Sequence, residues 1–305
     1  MFGKKKTSIV KMLPKLKGEI REHELLAKHT WFGVGGPAEV MFFPADNDDL
    51  REFVRNKPHN LPVFVIGSGS NLLVRDGGIP GVVIKLSSKF YRQWQMDGDK
   101  LICGAGMKNA ELKKIMTENN IGGLEFLVSI PGSLGGAIKT NAGCFGRELK
   151  DVLAGATVIN EEGEELEVSA DDFNFGYRCS FFPEGWIVTS MTLKVVPQDA
   201  QETLRIIEEQ KQYRLKSQPI NAKTAGSTFK NPEGLRAWEL IKNTKSNELK
   251  VGGAAVSDKH CNFLINTGDA SAEDIENLGE SIIKKVKDET SIVLEWEVKR
   301  VGIKK

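Results

Sequence analysis

Short apolar runs alternate with turn residues over the first third of the chain. Val40–Phe43 and Val63–Ile66 have the length and composition of strands. Between them, Asp46 precedes apolar residues that recur at helical spacing, which predicts a helix capped by this aspartate. These residues are Leu50, Phe53 and Val54. The order predicts a small β-α-β unit whose second strand runs into the glycine-rich segment 67–71.

The middle of the chain has further strand-like runs and one helical pattern. Strands are predicted at 101–103, 156–159 and 187–189. Near 108–119, apolar residues recur on one helical face, and NNIGG at 119–123 predicts the end of that helix. The chain contains no internal repeat and no low-complexity tract, which excludes a repeat architecture.

A charged helical segment at 200–216 precedes a compact C-terminal α+β region. Its apolar residues lie at helical spacing, which is typical of a connecting helix. In the C-terminal region, Ser271 is followed three residues later by Asp274, a capping box that predicts the start of a helix. The buried face of that helix is predicted to contain Ile275, Leu278, Ile282 and Val286. The pattern places a domain boundary near 198–217.

Composition limits the class of protein. The 305 residues are 40% hydrophobic and 27% charged, which is typical of a globular protein long enough for two domains. The formal net charge of +1 gives no broad basic surface, so nucleic acid is not a predicted partner. The strong basic run is confined to residues 1–20 and indicates a solvated N-terminal segment rather than a binding tail. It contains Lys4, Lys5, Lys6, Lys11, Lys15 and Lys17.

Cysteine and histidine spacing excludes several kinds of site. The four cysteines stand apart at 103, 144, 179 and 261, which indicates reduced thiols in a cytoplasmic protein. No window approaches the roughly 18 apolar residues of a membrane helix, and no apolar signal core follows the N-terminal lysines, so neither membrane insertion nor export is predicted. None of the four histidines has the spacing of a metal site, and no metal is predicted.

Two glycine-rich segments are candidates for cofactor binding. GSGSN at 67–71 follows an apolar strand and offers main-chain amides and hydroxyls to a pyrophosphate. Alone, this pentapeptide is equally well interpreted as an ordinary strand-to-helix turn, and it lacks the GxGxxG pattern of a Rossmann dinucleotide site. SIPGSLGGAIKTNAG at 129–143 sets several glycines among apolar residues. Such a segment can lie flat against an aromatic ring system.

Three polar residues are candidates for catalysis. Arg178 offers a planar pair of donors to a carboxylate, although a surface ion pair is the simpler explanation from its sequence context alone. Ser227 lies in a Gly-Ser-Thr turn, where its hydroxyl can donate a proton or only form the turn. In LEWEV at 294–298, Glu295 and Glu297 alternate with apolar residues, so a strand would place both carboxylates on one face.

Taken in order, seven motifs resemble the UDP-N-acetylenolpyruvoylglucosamine reductases, the flavoprotein family known as MurB. They extend from about His29 to Gly302, nearly the whole chain. The motifs are HTWFGVGGPAEVMFFP at 29–44, GSGSNLLV at 67–74, SIPGSLGGAIKTNAG at 129–143, YRCSFF at 177–182, AGSTFKNP at 225–232, VGGAAVSDKHCNFLIN at 251–266 and LEWEVKRVG at 294–302. Their number and order make the resemblance specific.

The resemblance implies an α+β fold with a vanillyl-alcohol-oxidase-type FAD-binding region. That region would span 21–198, with two α+β subdomains at about 21–85 and 86–198, and a connector helix and smaller substrate-binding domain would span 199–305. FAD would be bound noncovalently, with its pyrophosphate at 67–71 and its isoalloxazine near 129–143. The implied cofactor-binding residues are Gly67, Ser68, Gly69, Ser70, Asn71, Ser129, Pro131, Gly132, Gly135, Gly136, Asn141 and Gly143.

The resemblance also implies a reaction. NADPH would reduce the flavin, and hydride would pass to C3 of UDP-N-acetylglucosamine enolpyruvate, giving UDP-N-acetylmuramate for peptidoglycan. Negative charge would build at C2 and in the substrate carboxylate, where Arg178 and Glu297 would stabilise it while Ser227 protonates C2. The implied substrate-binding residues are Lys216, Lys230 and Asn231, with Lys230 also polarising the surroundings of Ser227. Family members are often monomers, and we expect a monomer here.

Three residues depart from the family pattern. Trp296 stands where a proline is common, Gly33 where a basic residue is common, and Asn262 where we expect a small residue. A tryptophan at 296 can change the twist that aims Glu297. The short interval 217–250 lacks the extra segment of longer members and indicates the compact, type II subtype.

Two other functions stay open from the sequence. One is a flavin-dependent oxidase of the same superfamily; many such oxidases tether FAD through a histidine, and none lies in or beside GSGSN. The other is a noncatalytic module that binds FAD or a nucleotide sugar. The joint presence of Arg178, Ser227 and Glu297 favours catalysis over simple binding.

Overall fold

The computed structural model describes residues 8–305, which form two compact units. The first unit contains the described residues up to Glu24, Ala38–Gly67 and Pro80–Glu208. The second unit contains Leu25–Pro37, Ser68–Ile79 and Glu209–Lys305. Each unit is built from separate stretches of chain, and the division into domains at 1–20, 21–198 and 199–305 stays a prediction. Three lysines of the predicted basic segment lie outside the described residues: Lys4, Lys5 and Lys6.

Most helices and strands of the described chain are short. The α-helices are α1 (Asn47–Asn56), α2 (Leu112–Asn119), α3 (Glu125–Ser129), α4 (Leu134–Lys139), α5 (Ala200–Ser217), α6 (Ala237–Asn243) and α7 (Ala272–Thr290). The strands are β1 (Glu19–Glu22), β2 (Ala38–Phe43), β3 (Val63–Val65), β4 (Leu72–Val74), β5 (Ile79–Ile84), β6 (Trp94–Asp97), β7 (Lys100–Gly104), β8 (Ile121–Gly122), β9 (Gly143–Cys144), β10 (Arg147–Glu148), β11 (Leu153–Ile159), β12 (Glu165–Ser169), β13 (Ile187–Lys194), β14 (Val196–Pro197), β15 (Lys250–Val251), β16 (Ala254–Val256), β17 (Leu264–Asn266) and β18 (Lys299–Val301).

Two sheets dominate the first unit. The larger has the strand order β12-β11-β13-β7-β6, and each neighbouring pair is antiparallel. The other has the order β1-β2-β5-β3, in which β3 and β5 are parallel. One continuous apolar core joins both sheets and contains the fully buried Tyr91, Phe126 and Phe173. Phe126 lies in α3, so this core also anchors the start of the glycine-rich segment 129–143.

The predicted β-α-β unit is confirmed, with one difference in strand order. α1 begins after Asp46, whose carboxylate accepts a hydrogen bond from the amide of Asp49 at 2.8 Å, as expected for an N-cap. The ring of Phe53 on the buried face of α1 lies 5.2 Å from that of Phe42 in β2. β5 lies between β2 and β3 in the sheet. This non-local pairing is not encoded in the local pattern of apolar residues.

The predicted helix near 108–119 is shorter than expected. Asn109–Glu111 form a 3-10 turn, and α2 begins only at Leu112. The carboxylate of Glu111 accepts a hydrogen bond from the amide of Lys108 at 3.0 Å, which stabilises this tighter turn. The helix ends as predicted, because Asn120 adopts the left-handed conformation with φ at 50°.

The second unit contains an antiparallel sheet, β15-β16-β17, and a parallel pair, β4 and β18. The capping box predicted for α7 is confirmed: the hydroxyl of Ser271 accepts the amide of Asp274 at 3.0 Å, and the carboxylate of Asp274 accepts the amide of Ser271 at 2.9 Å. The predicted apolar residues of α7 are all buried in the core of this unit. They are Ile275, Leu278, Ile282 and Val286.

Residues 294–298 do not form a strand, and only part of the predicted alternation in burial is present. Leu294 and Val298 are each 2% exposed, whereas the side chain of Glu295 is 73% exposed. A single antiparallel bridge joins Phe229 to Trp296, and β18 begins at Lys299. Trp296 and Glu297 are both half-buried, so the alternation holds for Leu294, Glu295 and Val298 only.

The predicted charged helix is confirmed as α5, and the chain passes from the first unit to the second between its residues Glu208 and Glu209. Of its side chains, Thr203 and Ile207 are buried and the others face outward to various degrees. Within residues 8–305, no helix combines the length and the apolar composition needed to cross a membrane.

Candidate functional site

Gly67 comes into contact with the second glycine-rich segment inside the first unit. A Cβ atom at Gly67 would lie 2.5 Å from the hydroxyl oxygen of Ser133 and 3.8 Å from the Cα of Gly136. A separation of 2.5 Å is far below van der Waals contact, so glycine is required unless the serine moves. The structure therefore brings together residues that are about 65 positions apart, as the predicted cofactor site requires.

Gly69, in the second unit, is fixed by its conformation and by its neighbours. Its φ is +67°, and a Cβ atom would lie 2.0 Å from the carbonyl oxygen of His29. The carbonyl of Gly69 accepts a hydrogen bond from the amide of Trp31 at 3.1 Å. A larger residue would clash with the backbone and adopt a disfavoured φ, so this position needs glycine on two counts.

Consecutive amides of the 67–71 loop are free to bind an anion. Within residues 8–305, the amide groups of Gly67, Ser68 and Gly69 have no hydrogen-bond acceptor. The side chains of Ser68 and Ser70 are half-buried beside them. Successive unpaired amides and nearby hydroxyls are the groups that bind phosphate oxygens in proteins. These groups support the assignment of this loop to the pyrophosphate of FAD, which stays a prediction.

Glycine occupies positions in the segment 129–143 for different structural reasons. Gly132 has a φ of +152°, and its carbonyl accepts the amide of Asn109 at 3.1 Å. Gly135 donates its amide to the carbonyl of Ala105 at 2.9 Å, and a Cβ atom there would lie 3.1 Å from the Cβ of Ala105. Gly136, in contrast, would meet only the hydroxyl of Ser133, at 3.5 Å. Packing accounts for Gly135, whereas a Cβ atom at Gly136 would make only an ordinary van der Waals contact.

Asn141 is the deepest of the predicted cofactor residues. It is 0% exposed with a φ of +41°. Its amide nitrogen donates to the carboxylate of Glu148 and to the carbonyl of Gly176, both at 3.1 Å, and its amide oxygen accepts the backbone amide of Lys150 at 3.1 Å. The side chain thus joins the glycine-rich segment to Gly176, where the turn that carries Arg178 begins.

The other predicted residues of this segment are half-buried. The hydroxyl of Ser129 donates to the carbonyl of Phe126 at 2.9 Å and lies 3.3 Å from the sulfur of Cys144. Pro131 lies in the turn between α3 and α4. Gly143 pairs with Glu148 in the β9–β10 hairpin, and a Cβ atom there would lie 2.6 Å from the carbonyl oxygen of Arg147. Ser129 and Gly143 therefore shape the segment through protein contacts.

Arg178 lies at the tip of a tight turn. The backbone groups of Gly176 and Cys179 exchange hydrogen bonds of 3.0 and 3.3 Å, which leaves Tyr177 and Arg178 as the two turn residues. Arg178 has a φ of +59°, an uncommon value for a residue with a side chain. Its guanidinium carbon lies 5.3 Å from the ring centroid of Tyr177. Such backbone strain on a polar residue is typical of functional sites.

A cavity of about 840 Å³ lies beside this turn in the first unit. Its lining includes Ser180, two residues after Arg178, and the aromatic side chains of Phe173 and Trp186. Ser180 is 8% exposed, and its hydroxyl has no hydrogen-bond partner in the part of the chain that the structure describes. A buried hydroxyl without a partner is costly, so a water or ligand in the cavity would stabilise it.

Ser227 and Glu297 come together in the second unit through their neighbours. The amide of Glu297 donates to the carbonyl of Thr228 at 2.8 Å, and the amide of Lys230 donates to the carbonyl of Glu295 at 2.8 Å. Ser227 precedes this pairing and follows Gly226, which has a φ of +84°. The two candidate catalytic segments therefore lie antiparallel and side by side, 70 residues apart in sequence.

Asn71 is hydrogen-bonded to the segment that contains Glu297. Its side-chain nitrogen donates to the carbonyl of Glu297 at 3.4 Å, and its own carbonyl accepts the amide of Lys299 at 3.0 Å. Asn71 precedes β4 and Glu297 precedes β18, and these strands are parallel partners. This predicted cofactor residue thus also holds the backbone of a predicted catalytic residue.

The three predicted substrate residues do not share hydrogen-bond or ion-pair partners among residues 8–305. The ammonium group of Lys230 lies 3.2 Å from the exposed carboxylate of Glu295. The amide oxygen of Asn231 accepts the backbone amide of Ala237 at 3.0 Å, so this side chain orders the entry to α6. Lys216 is exposed in the last turn of α5. No hydrogen bond or ion pair among residues 8–305 links Lys216 to the other two.

The departures from the family pattern are accommodated by packing. The ring of Trp296 lies over Gly279 of α7, where a Cβ atom would lie 2.2 Å from the ring, and its nitrogen donates to the carboxylate of Glu280 at 3.0 Å. At Gly33, a Cβ atom would lie 3.4 Å from the side chain of Lys223. A lysine side chain thus occupies the space beside Gly33.

Two family models match separate parts of the chain. A family model described as FAD binding domain matches residues 38–169. A second, described as UDP-N-acetylenolpyruvoylglucosamine reductase, C-terminal domain, matches residues 218–301. Together these two matches cover more than half of the chain. They confirm FAD as the predicted cofactor and the predicted fold class of an FAD-binding region followed by a C-terminal domain.

Individual relatives extend over almost the whole chain. A UDP-N-acetylenolpyruvoylglucosamine reductase of a Bradyrhizobium species is 46% identical over 96% of this chain and 95% of its own length. That of Rhodospirillum rubrum is 45% identical, with 97% and 94% coverage. The crystal structure of the reductase from Thermus caldophilus superimposes with a TM-score of 0.81 at 34% identity and covers 94% of this chain and 100% of that chain. The resemblance predicted from the motifs is confirmed.

Proposed function

We propose that this chain, which belongs to the UDP-N-acetylenolpyruvoylglucosamine reductase family, uses NADPH to reduce UDP-N-acetylglucosamine enolpyruvate to UDP-N-acetylmuramate. Family membership makes it an FAD-dependent oxidoreductase of peptidoglycan synthesis. When bound, FAD supplies the hydride carrier between NADPH and C3 of the enolpyruvyl group. The chain's own residues must then bind the substrate, stabilise the charge that appears on it, and deliver a proton.

Arg178 is proposed to stabilise the developing charge. Addition of hydride to C3 leaves an electron pair at C2 that delocalises into the adjacent carboxylate. A guanidinium held at the tip of a tight turn offers two parallel donors to that carboxylate. Because the charge is greater in the transition state than in the substrate, such a donor pair lowers the barrier instead of only improving binding.

Ser227 is proposed to donate the proton to C2, which completes the saturated product. A serine hydroxyl is a weak acid, so its contribution depends on alignment with the carbon it protonates. The rigid backbone pairing that begins at Thr228 supports this role, because it limits the positions available to the preceding residue. Glu297 is proposed to contact the substrate carboxylate as a protonated or strongly hydrogen-bonded group.

The diphosphate and uridine end is assigned to Lys216, Lys230 and Asn231. Lys230 and Asn231 follow Ser227 directly in the AGSTFKNP motif, and their side chains are half-buried and exposed respectively. The ion pair of Lys230 with Glu295 is largely exposed to solvent, so exchanging this carboxylate for a substrate phosphate costs little. Lys216 lies outside this motif, in the last turn of α5, so its assignment is the first of the three to test by substitution.

The observation that carries the proposal is the antiparallel pairing of segments 228–230 and 295–297. It joins the backbone next to Ser227 to the backbone of the segment that contains Glu297, within the second unit, and this supports the proposed pair. The proposal is therefore tested on the half-reaction in which the substrate is reduced.

The experiment separates the two half-reactions under anaerobic conditions. One equivalent of NADPH is added to the FAD-loaded protein and the loss of flavin absorbance is followed; UDP-N-acetylglucosamine enolpyruvate is then added. We expect the colour to return with this substrate and not with UDP-N-acetylglucosamine. Return of colour only with oxygen would indicate the alternative oxidase, and no loss of colour with NADPH would contradict the proposed donor.

Ser227→Ala tests the proton donor within the same assay. We expect flavin reduction by NADPH to be unchanged and reoxidation by the enolpyruvyl substrate to slow by about 100-fold or more. Ser281→Ala is the matched control, since that exposed hydroxyl of α7 donates only to the carbonyl of Asn277 at 2.8 Å. Normal reoxidation in Ser227→Ala would overturn the role of this serine.

A further inference from the structure

Asn262 makes an unusual set of contacts with the chain that follows Ser227. Its side-chain oxygen accepts the amide of Phe229 at 3.0 Å, and its side-chain nitrogen donates to the carbonyl of the same residue at 2.8 Å. Its backbone carbonyl accepts the amide of Thr228 at 2.8 Å. One residue therefore makes three hydrogen bonds to two consecutive residues.

The side chain of Asn262 acts as a neighbouring strand would. A peptide group in a sheet offers one donor and one acceptor to its neighbour, and a carboxamide offers the same pair. Asn262 is 4% exposed and Phe229 is 1% exposed, so water cannot replace these bonds. Since Phe229 presents one N–H and one C=O, a single orientation of the amide satisfies both.

The hydrogen bonds on the other edge of the segment complete the arrangement. The carbonyl of Thr228 accepts the amide of Glu297, and the amide of Lys230 donates to the carbonyl of Glu295, each at 2.8 Å. The hydroxyl of Thr228 accepts the amide of Leu264 at 3.1 Å. From the amide of Thr228 to the amide of Lys230, every backbone group has a partner.

We propose that Asn262 is a positioning residue that fixes Ser227 for proton delivery to C2. The inference rests on the proposed function of Ser227. Ser227 is joined to the clamped segment at Thr228, while Gly226 on its other side has a left-handed φ of +84° with no atom within 4 Å of a Cβ position. The chain before Gly226 is also held, because the hydroxyl of Thr224 donates to the carbonyl of Leu264 at 2.7 Å. The restraint joined directly to Ser227 is the clamped segment 228–229.

Loss of this clamp is expected to affect proton delivery more than any other step. Small displacements of a catalytic group reduce rates by about 100-fold, because productive geometry is narrow. Binding of NADPH and hydride transfer to FAD do not use the hydroxyl of Ser227. The two half-reactions should therefore respond differently, which a general loss of stability would not produce.

The test uses FAD-loaded Asn262→Asp, which keeps the shape and the acceptor but loses the donor to Phe229. We expect reoxidation by the enolpyruvyl substrate to slow by about 10- to 100-fold, while flavin reduction by NADPH changes by less than about twofold. The solvent deuterium isotope effect on reoxidation should increase. Asn262→Leu, which loses both bonds, should show the same selectivity with a larger loss.

A second readout does not depend on activity. Hydrogen–deuterium exchange in a peptide covering residues 226–231 should be about tenfold faster in Asn262→Asp than in the original protein. Thr244→Val is the matched control, because it removes a buried hydroxyl of the second unit that donates to the carbonyl of Leu240 at 2.9 Å. We expect this control to lower the melting temperature without selective loss of reoxidation.

A double variant shows whether Asn262 acts through Ser227. If it does, Ser227→Ala with Asn262→Asp should reoxidise no more slowly than Ser227→Ala alone. The inference would be overturned if the rate losses of the two single variants multiplied in the double variant. It would also be overturned if Asn262→Asp slowed both half-reactions equally. Slow reoxidation in Ser227→Ala with normal reoxidation in Asn262→Asp would overturn the inference about Asn262 and leave the proposed role of Ser227 in place. Normal reoxidation in Ser227→Ala would remove the proposed proton donor and the inference with it.

Discussion

The two units hold their predicted site residues by different means. In the first unit, Gly67, Ser133 and Gly136 approach so closely that a single Cβ atom at Gly67 has no room. In the second unit, Ser227 precedes a segment whose backbone is hydrogen-bonded to the segment that contains Glu297. The side-chain amide of Asn262 also holds the first of these segments. The contact at Gly67 depends on the absence of a side chain, whereas the segments beside Ser227 and around Glu297 depend on hydrogen bonds.

This difference agrees with what each site is predicted to bind. A flat cofactor and its pyrophosphate need close approach of the backbone and unpaired amides, which glycine provides. A catalytic hydroxyl and carboxylate need fixed directions, which hydrogen bonds to the flanking backbone provide. We therefore expect steric changes to be most harmful to cofactor binding and polar changes to be most harmful to turnover.

The largest expected effect comes from Glu276, which supports the second unit from α7. Its carboxylate, 6% exposed, binds the guanidinium groups of Arg75 at 2.9 Å and of Arg300 at 3.3 Å. These arginines lie just after β4 and in β18, so Glu276 ties together the strands that follow Asn71 and Glu297. We expect Glu276→Gln to lower the free energy of unfolding by about 3 kcal/mol, measured by denaturant titration, because two arginines lose their partner.

Glu280→Gln is the matched control for this prediction. Glu280 also accepts a hydrogen bond from Arg300, but its side chain is 51% exposed, and we expect a loss below about 1 kcal/mol. Hydrogen bonding to Arg75 holds the pKa of Glu276 below its usual value of 4.5. Its stabilising effect is therefore complete above pH 4.5 and is lost as the pH falls through the lowered pKa. Equal losses in the two variants would contradict the special role of Glu276.

A steric change at Gly67 should have the next largest effect. We expect Gly67→Ala to lose about 2 kcal/mol of stability, because the new methyl group overlaps the hydroxyl of Ser133. FAD retention, measured as flavin absorbance per protein, should fall in parallel. Adding Ser133→Ala removes the overlapping oxygen and should restore both properties. Failure of this second substitution to rescue the first would show that the crowding is not at Ser133.

A smaller effect is expected from the titration of His260. Burial lowers the pKa of His260 below 6.5, and its Nδ1 atom accepts the amide of Asn262 at 3.2 Å. The neutral ring is favoured in the folded state, so its stabilising effect is complete above pH 6.5 and is lost as the pH falls through the lowered pKa. The unfolding free energy of His260→Gln should therefore fall less between pH 7 and 5. Parallel curves for the two proteins would exclude this histidine as the titrating group.

The smallest effect is expected from the ion pair of Lys230 with Glu295. The carboxylate is 73% exposed, and such pairs contribute about 0.5 kcal/mol or less after screening by salt. A double-variant cycle with Lys230→Met and Glu295→Gln measures the coupling directly. Coupling well above this value would mean that the pair helps to hold the antiparallel segments together.

Elements with local signals were predicted well from the sequence. The N-cap at Asp46 and the capping box from Ser271 to Asp274 are confirmed, because both depend on residues within one helical turn. The helix expected near 108–119 was wrong at its start, where Glu111 favours a 3-10 turn. The alternation at 294–298 was predicted, but its pairing with Phe229 was not.

The candidate site was predicted in its parts and not in its contacts. The motifs indicated Ser227 and Glu297 separately, and only the structure shows their segments side by side. Asn262 was noted as a departure from the family pattern without a structural role. No local rule predicts that a carboxamide 33 residues away will serve both backbone groups of Phe229.

The sequence by itself determined the family, the FAD-binding class and the positions of some of the helices and strands, since motif order and apolar periodicity are properties of consecutive residues. The tertiary structure alone decided which motifs meet: β5 between β2 and β3, Gly67 against Ser133, and Asn262 against Phe229. These contacts join residues far apart in the chain. They form because the folded core brings such residues together, and nothing in a short stretch of sequence specifies that proximity.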